Sequence, residues 1–162
     1  KISNIIQRGE KAKKWETLRN KIKEDIMNNA WSSDKKAFTQ IYGSNDLDTS
    51  VLLMESYGFI EAKSPKYIST VEAIGRELLK NNLLFRYKNN DDFGEPKSSF
   101  TVCTFWYINS LFKTGKIEES KKLYDKLLSS FGGIVQFLVR FRFVDYPVLF
   151  HFLCVFSSSW HF

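Results

Sequence analysis

Residues 100–130 read FTVCTFWYINSLFKTGKIEESKKLYDKLLSS, and this stretch decides the fold. From Phe100 to Phe112 it is apolar on most sides, with Val102, Cys103, Phe105, Trp106, Ile108 and Leu111 leaving little polar surface. A helix of that kind belongs inside, covered by others. Gly115 stops it. From Ile117 to Ser130 the pattern turns amphipathic: Leu123, Leu127 and Leu128 share one side, while Glu118, Glu119, Lys121 and Lys122 take the other. An inner helix, a glycine and an outer helix make a helical hairpin.

The same grammar runs upstream. From Glu10 to Ala30, Trp15, Leu18, Ile22 and Ile26 recur at spacings of three and four, one face of a helix. A polar loop with Gly43 and Ser44-Asn45-Asp46 follows. Asp48 then stands as an N-cap before Val51 to Met54, and Gly58 closes that short helix as its C′ residue. Ser64-Pro65 is a helix start, an N-cap hydroxyl followed by proline in the first turn. Tyr67, Val71, Ile74 and Leu78 carry the buried stripe behind it. Leu83 to Tyr87 reads as a short extended stretch, and Lys88 to Lys97 as a loop holding Gly94 and Pro96. Five helices joined by moderate loops predict an all-α domain of helical hairpins.

The text changes at Ile134. The last 29 residues hold seven of the fifteen phenylalanines and five valines, but no Ala, Gly, Glu or Lys. Periodicity gives way to a nearly continuous apolar run. Its longest uncharged piece, Tyr146 to Trp160, is shorter than the ~20 residues that cross a bilayer, so no membrane anchor is expected. Residues 1–133 and 134–162 are accordingly read as two units, a helical domain and a divergent tail.

Charge and composition exclude several functions. The 162 residues carry 24 Lys+Arg against 18 Asp+Glu, a net charge of +6. The lysines alternate with acids, as along Lys11 to Asp25, which describes a solvated helix face. A nucleic-acid surface, where basic groups gather around aromatic platforms, is not expected. Cys103 and Cys154 sit alone among apolar neighbours, as small buried thiols of a reducing compartment. With no basic leader and apolar core at the start, the expected location is cytoplasmic. The first residue is Lys1, so the chain is expected to begin partway through a longer product. His151 and His161 lie in the tail, and no ligand spacing or phosphate-binding glycine loop occurs, so neither metal nor cofactor is expected.

One cluster suggests chemistry. Arg86-Tyr87 precedes a loop with Asp91 and Asp92, and the aromatic inner helix follows that loop. A guanidinium fork can donate to sugar hydroxyls while aromatic faces stack on the sugar ring. The bland alternative is an exposed arginine that pairs with Asp91 or Asp92 across the loop.

The series Phe38-x-Gln40-x-Tyr42-Gly43, Leu47-Asp48-x-Ser50-x-Leu52-Leu53, Gly58-Phe59, Thr70-Val71, Leu84-x-Arg86-Tyr87, Asp92, Phe100-x-x-Cys103-Thr104-Phe105-Trp106 and Gly115-Lys116-x-Glu118-Glu119 resembles the glucoamylase-type glycoside hydrolases of family 15. Glucoamylases, glucodextranases and trehalases belong to that family. The resemblance covers about residues 1 to 133. It implies an incomplete (α/α)6 barrel, six helical hairpins around a sugar site when whole. It further implies an α-glucan or trehalose-like sugar as ligand, with Arg86 and Tyr87 at the family's sugar-contacting Arg-Tyr position and Phe100 at the border of the site.

The departures carry as much information. Family members invert configuration with a glutamate acid and a glutamate base ~6.5–9.5 Å apart. The resemblance puts the acid N-terminal to this chain and the base shortly after Gly132-Gly133, in a stretch like Gly-Leu-x-x-Glu-Glu. Here that stretch is Ile134-Val135-Gln136-Phe137-Leu138, and no glutamate follows Glu119. The expectation is a C-terminal-half fragment of an inverting α-glucoside hydrolase, inactive alone because both carboxylates are absent. An out-of-frame tail and self-association through uncovered hairpin faces go with it. The alternative is a tetratricopeptide-like interaction module, suggested by Gly115 to Leu128, although the ~34-residue self-similarity that repeat needs is missing.

Overall fold

A computed structural model describes residues 9–92 and 94–130. The expectations placed on the tail from Ile134, including His151, Cys154 and His161, fall outside the described residues. Among the described residues there are five α-helices: α1 (Gly9–Asn29), α2 (Leu53–Ser56), α3 (Pro65–Leu78), α4 (Thr101–Thr114) and α5 (Ile117–Ser129). The described part is all-α in character, a piece of a six-hairpin arrangement in which no barrel closes.

Two small antiparallel hairpins punctuate the helices, one pairing β1 (Trp31–Ser32) with β2 (Ala37–Phe38), the other β3 (Leu79–Lys80) with β4 (Leu83–Leu84). The first falls where the sequence reads as polar loop, yet Ala37 and Phe38 are fully buried. The second turns through Asn81 and Asn82, at φ 53° and 65°. Asparagine tolerates the left-handed region better than other non-glycine residues, which suits a tight two-residue turn.

The core lies between α3, α4 and the hairpins. Tyr67, Val71, Ile74 and Leu78 of α3 are all buried, as their spacing predicts. Proline opens α3, and Ser64 takes the extended backbone of an N-cap, but its hydroxyl makes no capping bond. Gly75 lets α3 and α4 approach: a Cβ there would come within 2.0 Å of the Tyr107 hydroxyl. Gly115 ends α4 at φ 96°, with Gly115 N–H donating to Phe112 O at 3.0 Å and Lys116 N–H to Leu111 O at 2.9 Å. These are the paired bonds of a Schellman motif. The chain then reverses into α5, whose Leu123, Leu127 and Leu128 are buried and whose Ser120 hydroxyl donates to Ile108 O at 2.9 Å.

Helix α1 behaves differently. No residue in it is buried, and Trp15, Leu18 and Ile22 are 59%, 43% and 51% exposed. Among the described residues its C-terminal part is what is tied in: Ile26 and Met27 meet the core, Lys23 lies over the Phe59 ring and Asp25 accepts the Tyr42 hydroxyl. Among the described residues, no helix is long and apolar enough to cross a membrane.

Candidate functional site

The site is built on the strand end that carries Arg86. Four backbone groups fix this segment to three neighbours. Leu84 N–H donates to the Thr104 hydroxyl of α4 at 2.9 Å, and Phe85 N–H to Leu78 O of α3 at 3.0 Å. Leu84 O accepts from Phe100 N–H at 3.1 Å, and Arg86 O accepts from Thr49 N–H at 2.9 Å. Buried backbone groups need such partners. Here the partners come from both long core helices or their ends and from the turn before α2. Thr104 has a counterpart in Thr70 of α3, whose hydroxyl accepts Phe38 N–H at 3.1 Å. In both cases a buried threonine on a helix seats a hairpin strand.

Arg86 does not stay within its loop. Its Nε donates to Asp48 Oδ2 at 3.2 Å, across 38 positions of sequence. The Asp48 side chain is only 1% exposed, while that of Arg86 is 52% exposed. Asp48 Oδ1 accepts Ser50 N–H at 2.7 Å, capping the 3-10 turn Thr49–Leu52. The cap expected at Asp48 is present, and the same carboxylate also receives the arginine. The partner foreseen for Arg86, Asp91 or Asp92, gives way to Asp48 because the Thr49–Arg86 backbone bond brings the two segments side by side.

Asp91 instead accepts the Tyr87 hydroxyl at 2.6 Å. That bond keeps the Tyr87 phenol protonated to higher pH than usual, with slight burial and the charge of Asp91 adding to it. Phe100 follows as the cap residue of α4 and is 51% exposed, its backbone bonded beside β4. Arg86, Tyr87 and Phe100 are thus gathered at one end of β4. Cys103 is buried in the first turn of α4, and its thiol is pushed up by burial, opposed by Thr49, with Asp48 raising and Arg86 lowering it. Among the described residues, no group of His, Cys, Asp and Glu could hold a metal ion.

Chemically, the arrangement offers an exposed guanidinium on an anionic anchor, a phenol and an aromatic face. It can bind hydroxyls and stack on an apolar ring face. The Asp48–Arg86 pair is the component that sequence reasoning missed; Leu47-Asp48-x-Ser50 signals the cap but not the arginine.

The profile of glycosyl hydrolases family 15 matches residues 1–144. Three trehalases are among the similar curated proteins. That of Thermoplasma volcanium is 30% identical over 117 residues, covering 72% of this chain and 19% of the relative. The trehalase of Mycobacterium tuberculosis is 34% identical over 128 residues, 76% of this chain and 19% of the relative. That of Mycolicibacterium smegmatis is 36% identical over 127 residues, 75% of this chain and 19% of the relative. The chain spans about a fifth of the length of the curated relatives it matches. No solved structure matches it. With its hairpins, its inner helix and most of its length inside the family match, the chain belongs to glycosyl hydrolases family 15.

Proposed function

We propose that this chain is a piece of an inverting α-glucoside hydrolase, trehalase-like in its sugar preference, that supplies sugar contacts without hydrolysing the sugar. Arg86, Tyr87 and Phe100 make those contacts. The observation that carries this reading is the half-exposed Arg86 guanidinium held by a buried carboxylate, with Tyr87 next in sequence and the exposed Phe100 bonded through its backbone to Leu84. The names of the trehalase relatives support trehalose as the first sugar to test. Inactivity follows from the family's need for an acid and a base, since no glutamate follows Glu119 where the base is expected.

Saturation-transfer NMR with trehalose tests the contact. Trehalose signals attenuated by the full chain, and restored by Arg86→Ala in a folded variant, are the expected result. Equal attenuation by both proteins defeats the reading.

Two further parts belong to the proposal. The apolar face of α1 promotes self-association with a second copy. Residues 134–162 form a divergent unit, translated out of frame; the composition shift at Ile134 supports this, whereas the family match runs on to residue 144. Translation of the neighbouring DNA in the other two frames decides the second part: a frame that restores Gly-Leu-x-x-Glu-Glu after Gly133 supports it, and none doing so refutes it. The buried free thiol of Cys103 suits a cytoplasmic setting.

A further inference from the structure

A half-exposed arginine on a loop ordinarily samples many rotamers, and each one lost on binding weakens the complex. Arg86 is placed otherwise. Its backbone carbonyl is held by Thr49 N–H and its side-chain Nε by Asp48, so two adjacent residues of one turn fix both the main chain and the side chain of the same residue. The carboxylate that does this is 1% exposed and is fixed in turn by Ser50 N–H at 2.7 Å. A buried carboxylate is costly unless paired and hydrogen-bonded, and here one oxygen serves the turn while the other serves the arginine. The bond uses the Nε donor and leaves the Nη1 and Nη2 donors for a ligand.

We propose that Asp48 is the positioning residue for Arg86, a buried anchor that holds the guanidinium in one orientation for sugar hydroxyls. The inference rests on the reading of Arg86 as a sugar contact. Asp48 itself touches no sugar. It acts by pre-organising the fork, and the 3-10 turn Thr49–Leu52 is the rigid mount for both.

Asp48→Asn separates the two tasks. Asparagine has one acceptor oxygen for two donors, so it can keep Ser50 N–H capped only by turning its amide N–H groups toward Arg86 Nε. A folded D48N chain is expected to bind trehalose about 5–10-fold more weakly, the ordering of one freed side chain on binding. Arg86→Lys should weaken binding at least as much, and the double variant should be no worse than R86K alone. If D48N binds as the unsubstituted chain does while R86K is weakened, the positioning role is wrong and the sugar contact stands. If R86K also binds normally, the sugar contact and the positioning role fall together.

A second readout needs no variant. In the unsubstituted full chain, the Arg86 Nε–H should exchange with solvent at least ~10-fold more slowly than that of Arg76, which lies 4.0 Å through Nη2 from Glu77 on an exposed face. Equal exchange rates overturn the proposal even where D48N fails to fold.

Discussion

Helices α1 and α3 both repeat apolar residues at spacings of three and four, α1 more sparsely, and meet opposite fates. In α3, six residues are buried, from Tyr67 to Leu78; in α1, none is. Periodicity therefore defines a face without deciding whether anything covers it. For α3 the cover lies within the chain, in α4, β2 and the turn before α2. For α1 the described residues supply cover only at its end, through Ile26 and Met27.

The largest effect should come from the covered face. Ile74→Ala, at 0% exposure, is expected to cost about 2–5 kcal/mol in urea unfolding, whereas Ile22→Ala on α1 should stay within about 0.5 kcal/mol. Similar losses at both sites would break the comparison.

The next effect is on pH. Burial pushes both Tyr67 and Tyr107 up to about 12. Each folded phenol keeps its proton where the unfolded one, near 10, has released it. Their contribution is whole below pH 10 and is lost as pH rises toward 12, approaching about 3 kcal/mol each. Unfolding of Tyr67→Phe should show a shallower fall across that window. An unchanged slope would place Tyr67 in contact with solvent.

Gly75→Ala comes third. Its new Cβ would strike Tyr107, so about 1–3 kcal/mol should be lost in thermal unfolding. Tyr107→Phe should recover part of this and no more, because the ring carbon that bears the hydroxyl is itself 2.7 Å away. The smallest change in stability belongs to Leu18→Glu with Ile22→Glu on α1. That pair should leave the unfolding midpoint nearly unchanged yet shift sedimentation toward the monomer. Persistent self-association would move the sticky surface away from α1.

What was legible in the sequence had local causes. The stops at Gly58 and Gly115, the start at Ser64-Pro65 and the α4–α5 hairpin all rest on signals a few residues wide. Of the two β-hairpins only the strand at Leu83–Leu84 was legible, within the extended stretch Leu83 to Tyr87, because strands of two residues are too short to display a period of two. Asn81-Asn82 was the available clue to one of them. The site was half legible. Arg86 and Tyr87 stand out as a donor with an aromatic and Asp48 as a cap, while Phe100 enters only through the family resemblance. Their meeting depends on Thr49 N–H reaching Arg86 O, a tertiary bond that no spacing announces.

The proposed function separates binding from chemistry: Arg86, Tyr87 and Phe100 would contact the sugar without the acid and base that hydrolysis needs. Glucose release from trehalose by the purified full chain, measured against a mock preparation and Arg86→Ala, tests this directly. No release above the mock is the predicted result. Release above the mock that disappears in Arg86→Ala would contradict it.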